Sequence, residues 1–164
     1  MFRVEVGMEG SGGRHGRLID DAEGIGALLD STRTIAVLGI KPATQPWQPA
    51  YYVPRYLAQS GFEVIPVPVY FPDVTEILDR PVFRSVRAIG RPVDLVDVFR
   101  RAEHLAQHLD DLIAARPRAV WLQSGIRHDT LAARLLREGI DVVQDRCLMV
   151  EHRRRMPIEK VAME

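Results

Sequence analysis

Residues 34–41 read T-I-A-V-L-G-I-K and, after a proline-rich stretch, residues 52–61 read Y-V-P-R-Y-L-A-Q-S-G. An apolar run of strand length stops at Gly39, passes through a loop and feeds a helical segment that stops at Gly61. That is the opening of a nucleotide-binding α/β unit. In the G-x-G-x-x-G pattern of dinucleotide folds the first glycine makes the turn, the second admits a pyrophosphate close to the backbone, and the third packs helix against strand. Gly39 keeps the first role, while Lys41 and Thr44 stand in the second and third places. A cationic side chain thus replaces part of the backbone cradle, which still suits a phosphate but weakens an NAD reading. Taken alone, the segment also fits an ordinary strand-to-helix turn whose glycine supplies φ > 0.

Four further apolar runs, 64–67, 95–99, 119–123 and 141–144, are rich in β-branched or aromatic residues and short enough to be strands. Helical patterns lie between them: 53–60, closed by Gly61; 102–115, with Leu105, Leu109, Leu112 and Ile113 on one face; and 130–138, closed by Gly139. Another, Leu18–Leu29, precedes the first strand, interrupted by Gly24 and Gly26. Strands alternating with helices require right-handed crossovers. The expected fold is therefore α/β, a parallel sheet of five or six strands with helices on both faces. Pro54 removes a helical hydrogen bond, so the helix either begins near Val53 or bends. The stretch 70–92 is less regular; a short helix near Asp73–Leu78 and a brief strand around Val82–Phe83 are expected there.

A chain of 164 residues, 46% hydrophobic and 27% charged, fits one domain with a sizeable core. Residues 1–16, with five glycines and little apolar content after Val6, read as a mobile arm, 17–155 as the domain and 156–164 as a tail. The 22 basic and 22 acidic side chains cancel, which argues against nucleic acid or an anionic membrane as partner. No apolar run approaches the roughly 20 residues that span a bilayer, and the N-terminus lacks a basic stretch followed by an apolar core. With a single cysteine, Cys147, which admits no intramolecular disulfide, this predicts a cytoplasmic protein.

In open parallel sheets, ligands bind beyond the carboxyl ends of the strands. The predicted ends carry Gly39-Ile40-Lys41, Pro66-Val67-Pro68, Phe99-Arg100-Arg101, Gln123-Ser124-Gly125 and Asp145-Arg146-Cys147. Lys41, Arg100, Arg127 and Arg146 are thus placed either around one crevice suited to phosphates or as separate solvated charges. Ser124 lacks the glycine two residues earlier that a nucleophile elbow needs, since Leu122 stands there, and reads as a turn residue. His104 and His108 have i, i+4 spacing but no glutamate follows His104, so no metal site is expected. Asp97 either faces the crevice or serves a loop contact. Arg153-Arg154-Arg155 reads as solvated surface. Cys147 is either a thiolate favoured by a nearby cation or helix N-terminus, or a packed, inert thiol.

Six segments, T-I-A-V-L-G-I-K, Y-V-P-R-Y-L, G-F-E-V-I-P-V, V-D-L-V-D-V-F-R-R, A-V-W-L-Q-S-G-I-R and V-V-Q-D-R-C-L-M-V-E-H, occur in that order between Thr34 and His152. In that order and spacing they resemble the family of small stand-alone CoA-binding proteins, itself similar to the CoA-binding domain of the succinyl-CoA synthetase α subunit. The resemblance, which extends over about Thr34 to Arg155, implies a Rossmann-like α/β fold with coenzyme A, or an acyl-CoA, held across the strand ends. It implies Gly39, Ile40 and Lys41 at the phosphates, Val67 and Pro68 on the adenosine side, and Val98, Phe99 and Arg100 closing the middle. Gln123, Ser124, Gly125 and Ile126 would meet the pantetheine arm or diphosphate, and Tyr52 and Cys147 also belong to the implied contact set. Two departures stand out. Pro66-Val67-Pro68-Val69 replaces the relatives' P-V-N-P, losing an asparagine, and Ala50 occupies a place where many carry serine.

The expected activity is CoA binding without turnover, with no catalytic residues, extended by a redox step in which Cys147 forms a mixed disulfide with the CoA thiol. Two alternatives remain open: an acyltransferase or ligase subunit that uses His128 or His152 and needs a partner, and a ligand-sensing interaction module.

Overall fold

The computed structural model describes residues 13–156. Five parallel strands form the sheet: β1 (Thr34–Leu38), β2 (Glu63–Val67), β5 (Leu95–Val98), β6 (Ala119–Leu122) and β7 (Asp141–Val143). Their order is β2-β1-β5-β6-β7. Helices α1 (Ala22–Asp30), α2 (Pro49–Gln59) and α5 (Leu148–Arg154) contribute to the core on one face. Helices α3 (Leu109–Ala115) and α4 (Asp129–Arg137) contribute to it on the other. The α/β Rossmann-like reading holds because the strands are buried on both faces, as parallel strands must be.

Side chains alternate between two apolar layers. Ile35, Val37, Leu95, Trp121 and Val143 pack with Ile25, Leu28, Leu57 and Leu148 of the first helical layer. Ala36, Leu38, Val96, Val98, Val120 and Leu122 pack with Leu112, Leu131 and Leu135 of the second. The register aligns Val37, Asp97 and Trp121 across three neighbouring strands, so Asp97 points into the first layer.

Several boundaries differ from the sequence reading. The α1 helix begins at Ala22, capped by the Asp21 carboxylate, because Arg17–Ile19 runs alongside β7 and does not join the helix. Val142 N–H donates to Arg17 O at 3.0 Å, and Ile19 N–H donates to Val142 O at 2.9 Å. Residues 1–12 of the expected arm lie outside the described residues, but 14–16 are held in place. Arg14 pairs with Asp141 at 2.7 Å, and Gly16 N–H donates to Leu136 O at 2.7 Å. Gly16 serves close approach, since an added Cβ would lie 2.2 Å from Ile140 O. Of the expected tail only Met156 is described.

The α2 helix starts at Pro49 and continues through Pro54, which is buried inside it. The Asp73–Leu78 helix is absent. A two-residue hairpin takes its place, β3 (Glu76–Ile77) and β4 (Arg80–Pro81), turning through Leu78 and Asp79 at φ 55° and 60°. The expected strand at Val82–Phe83 is also displaced, although Phe83 N–H still donates to Pro66 O of β2 at 2.9 Å. The long helix predicted over 102–115 divides into a 3₁₀ segment, Ala102–His108, and α3; the tighter segment buries Leu105 and turns His108 toward Arg100. No helix among the described residues is long and apolar enough to cross a membrane.

Candidate functional site

After β1 the chain moves outward to β2 and then returns to the other side of β1 as β5, so the sheet reverses its winding between β1 and β5. Loops leaving the two strand ends diverge there and open a crevice. Gly39 sits at that point with φ +87°, and an added Cβ would stand 2.4 Å from Phe99 O. Its glycine character is therefore required by the neighbouring strand end before any ligand is considered.

The crevice has a volume of about 360 Å³. Gly39, Ile40 and Lys41 enter it from β1, Val69, Tyr70 and Phe71 from β2, and Phe99, Arg100, Arg101 and His104 from β5. Three cations line it and no carboxylate does. Arg100 is only 8% exposed, yet among the described residues it has no ion-pair partner. Neutral groups hold it: Nε donates to His108 Nε2 at 3.1 Å and Nη1 to the Tyr70 hydroxyl at 3.2 Å, with the guanidinium 5.3 Å from the Tyr70 ring centre. The Arg100 hydrogen bond and charge hold the Tyr70 phenol below its ordinary pKa. Burial first, and then Arg100, pulls His108 below the usual histidine range, leaving Nε2 free to accept.

Lys41 is positioned through Pro54, which lies within α2. Pro54 has no N–H to offer the Ala50 carbonyl, and Lys41 N–H donates to that oxygen at 3.0 Å. The interruption in α2 thus anchors the loop that carries Lys41.

The remaining expected residues are spread along the rim. Val67, Pro68 and Val98 are buried behind the crevice, and Val67 O and Val98 O accept from Gly39 and Gln123 N–H within the sheet. Gln123 is buried and donates through Nε2 to Asp97 Oδ1 at 2.7 Å. Asp97 is fully buried, Oδ2 has no partner among the described residues, and burial pushes its carboxyl up to about 8 against the opposing bonds of Gln123 and the Val98 backbone. Ser124 and Gly125 are exposed, Gly125 N–H donates to Asp145 Oδ1 at 2.6 Å, and Ile126 packs on the second helical layer. Tyr52 is exposed on α2, outside the crevice lining. Cys147 follows β7 at the far side of the sheet, half-buried against the first layer.

Of the two arrangements open to Lys41, Arg100, Arg127 and Arg146, only Lys41 and Arg100 share the crevice. Arg127 pairs with Asp129, and Arg146 is drawn to Asp20 O and Glu151. Arg101 takes their place beside Lys41 and Arg100. The alternative acid/base histidines are engaged elsewhere. His128 Nδ1 caps α4 by accepting from Leu131 N–H at 3.0 Å, and His152 lies 2.7 Å from the Tyr56 hydroxyl, beside the start of β2. Among the described residues no group of side chains suits a metal ion. Tyr70, Phe71 and His104 were missed as crevice residues, as was the contact of His108 with Arg100; the signal was present in Tyr70-Phe71 just after the second strand.

Known proteins share this family and fold. The uncharacterized protein YneT of Bacillus subtilis (strain 168) is 29% identical over 125 residues, 76% of this chain and 89% of that protein. A solved Thermus thermophilus protein is 44% identical with a TM-score of 0.75, covering 82% of this chain and 98% of its own. An acetyl-coenzyme A synthetase of Ca. Korarchaeum cryptofilum, solved with phosphate and ADP, is 18% identical with a TM-score of 0.58 and shares the fold; the match covers 66% of this chain and 25% of that one. The model of the CoA binding domain matches residues 33–153, which hold all five strands of the sheet and the helices that follow α1, and the chain belongs to that family.

Proposed function

We propose that this chain is a binding protein for coenzyme A or an acyl-CoA, received in the crevice between β1 and β5. One observation carries the reading: Arg100 is a buried guanidinium with only neutral partners. Burying a cation without a counter-charge is costly, and an anionic ligand supplies the missing charge. Lys41 and Arg101 add two more cations, which suits a ligand with several phosphates. On this reading Gly39, Ile40 and Lys41 meet the phosphates, and the end of β2 at Val67 and Pro68 backs the adenosine. Val98, Phe99 and Arg100 close the middle, and Gln123 to Ile126 face the pantetheine arm. Coenzyme A itself supplies the thiol; the residues here bind and orient.

Titration calorimetry of the full chain with coenzyme A and with NAD tests this. Heat with coenzyme A, weaker or absent heat with NAD, and loss of the CoA signal in Arg100→Ala are expected. Equal, negligible heats for both ligands overturn the reading.

A further inference from the structure

We infer that Tyr70 is a displaceable cap on Arg100, its phenolic oxygen standing where an incoming phosphate oxygen would sit, so that Tyr70 sets how strong an anion must be to enter the crevice. The inference rests on the phosphate-binding part of the reading above. Arg100 needs acceptors, and it has two of unequal permanence. His108 belongs to the 3₁₀ segment and is half-buried, with Asp111 and His104 acting on it besides Arg100. Tyr70 is 60% exposed and reaches Arg100 from a loop. Moving it outward uncovers Nη1 and opens no hole in either apolar layer, to which Tyr70 does not belong.

The backbone beside it is also strained. Phe71, directly after Tyr70, holds φ at +65°, a left-handed conformation that costs a bulky residue energy. A phenol is a weak neutral acceptor, whereas a phosphate oxygen makes a charge-assisted bond about twice as strong to the same guanidinium. No carboxylate in the crevice competes for Arg100. Weak anions therefore fail to dislodge the phenol, and phosphates succeed.

Tyr70→Phe removes the oxygen and keeps the ring. With inorganic diphosphate as the probe, its affinity rises about fivefold over the natural chain, the equivalent of one competing hydrogen bond. In the natural chain labelled with ¹³C-tyrosine, diphosphate shifts the Tyr70 ring resonance, identified by its absence from Tyr70→Phe. Unchanged or weaker diphosphate binding in Tyr70→Phe, or an unmoved Tyr70 resonance at saturation, overturns the cap while CoA binding by the natural chain still stands. If the natural chain binds neither diphosphate nor coenzyme A, the binding reading falls as well.

Discussion

Replacing Asp97 by asparagine isolates the effect of one buried proton. Burial raises the Asp97 carboxyl from 3.8 to about 8, so between those values the native state keeps a proton that the unfolded chain releases. Stability contributed by the neutral acid is complete below the unfolded value and is lost as pH rises toward 8, by about 1.4 kcal/mol for each pH unit. From pH 5 to pH 8 the natural chain should lose about 4 kcal/mol relative to Asp97→Asn, a substantial share of the roughly 5–15 kcal/mol that holds a domain together. Asparagine keeps an oxygen for the Gln123 amide but places an N–H where Oδ2 has no partner, which adds a cost that does not vary with pH. The difference in slope, and not the absolute stability, is therefore diagnostic. Urea unfolding of both chains at pH 5, 6, 7 and 8 measures it. Parallel stability curves would refute the reasoning.

Two further outcomes follow from the same geometry. Pro54→Ala gives the Ala50 carbonyl a helical donor that competes with Lys41 N–H, and calorimetry should find coenzyme A bound about fivefold more weakly; an unchanged dissociation constant removes the anchoring role of the proline. If Cys147 takes part in thiol–disulfide exchange, its thiolate attacks oxidised coenzyme A, forms a mixed disulfide and releases one CoA thiolate. Intact-mass measurement should then find a reducible CoA-sized adduct that is absent from Cys147→Ser, and no adduct on the natural chain ends the redox extension.

Much of the architecture was legible because strands buried on both faces must be nearly continuous apolar runs, and glycines at 39, 61 and 139 stop the elements cleanly. Lys41 and Arg100 were legible for the same reason, since they stand at the ends of those runs. Side-chain direction was harder to read. Arg127 and Arg146 also follow strands, but their guanidiniums turn to Asp129 and Glu151, partners that linear spacing does not reveal. Tyr70-Phe71 escaped notice because positive φ at Phe71, Leu78 and Asp79 reshapes a segment with no glycine to announce it. Gly16 misled in the opposite direction. Its missing side chain suggested a loose chain, whereas it permits contact with Ile140.

The hydrogen bonds of Arg17 and Ile19 to Val142, together with that of Phe83 to Pro66, have a consequence for how copies of this molecule meet. An open parallel sheet ordinarily presents two unpaired flanks, each a template for another chain. Here one flank is screened by the chain's own N-terminal segment. The other is screened by the Phe83 contact and by Pro66, which has no N–H to offer. Among the described residues the sheet ends at five strands with both flanks screened, which disfavours strand addition between copies. A chain trimmed past Ile19 would give up that protection, uncovering the Val142 amide and carbonyl to whatever strand comes next.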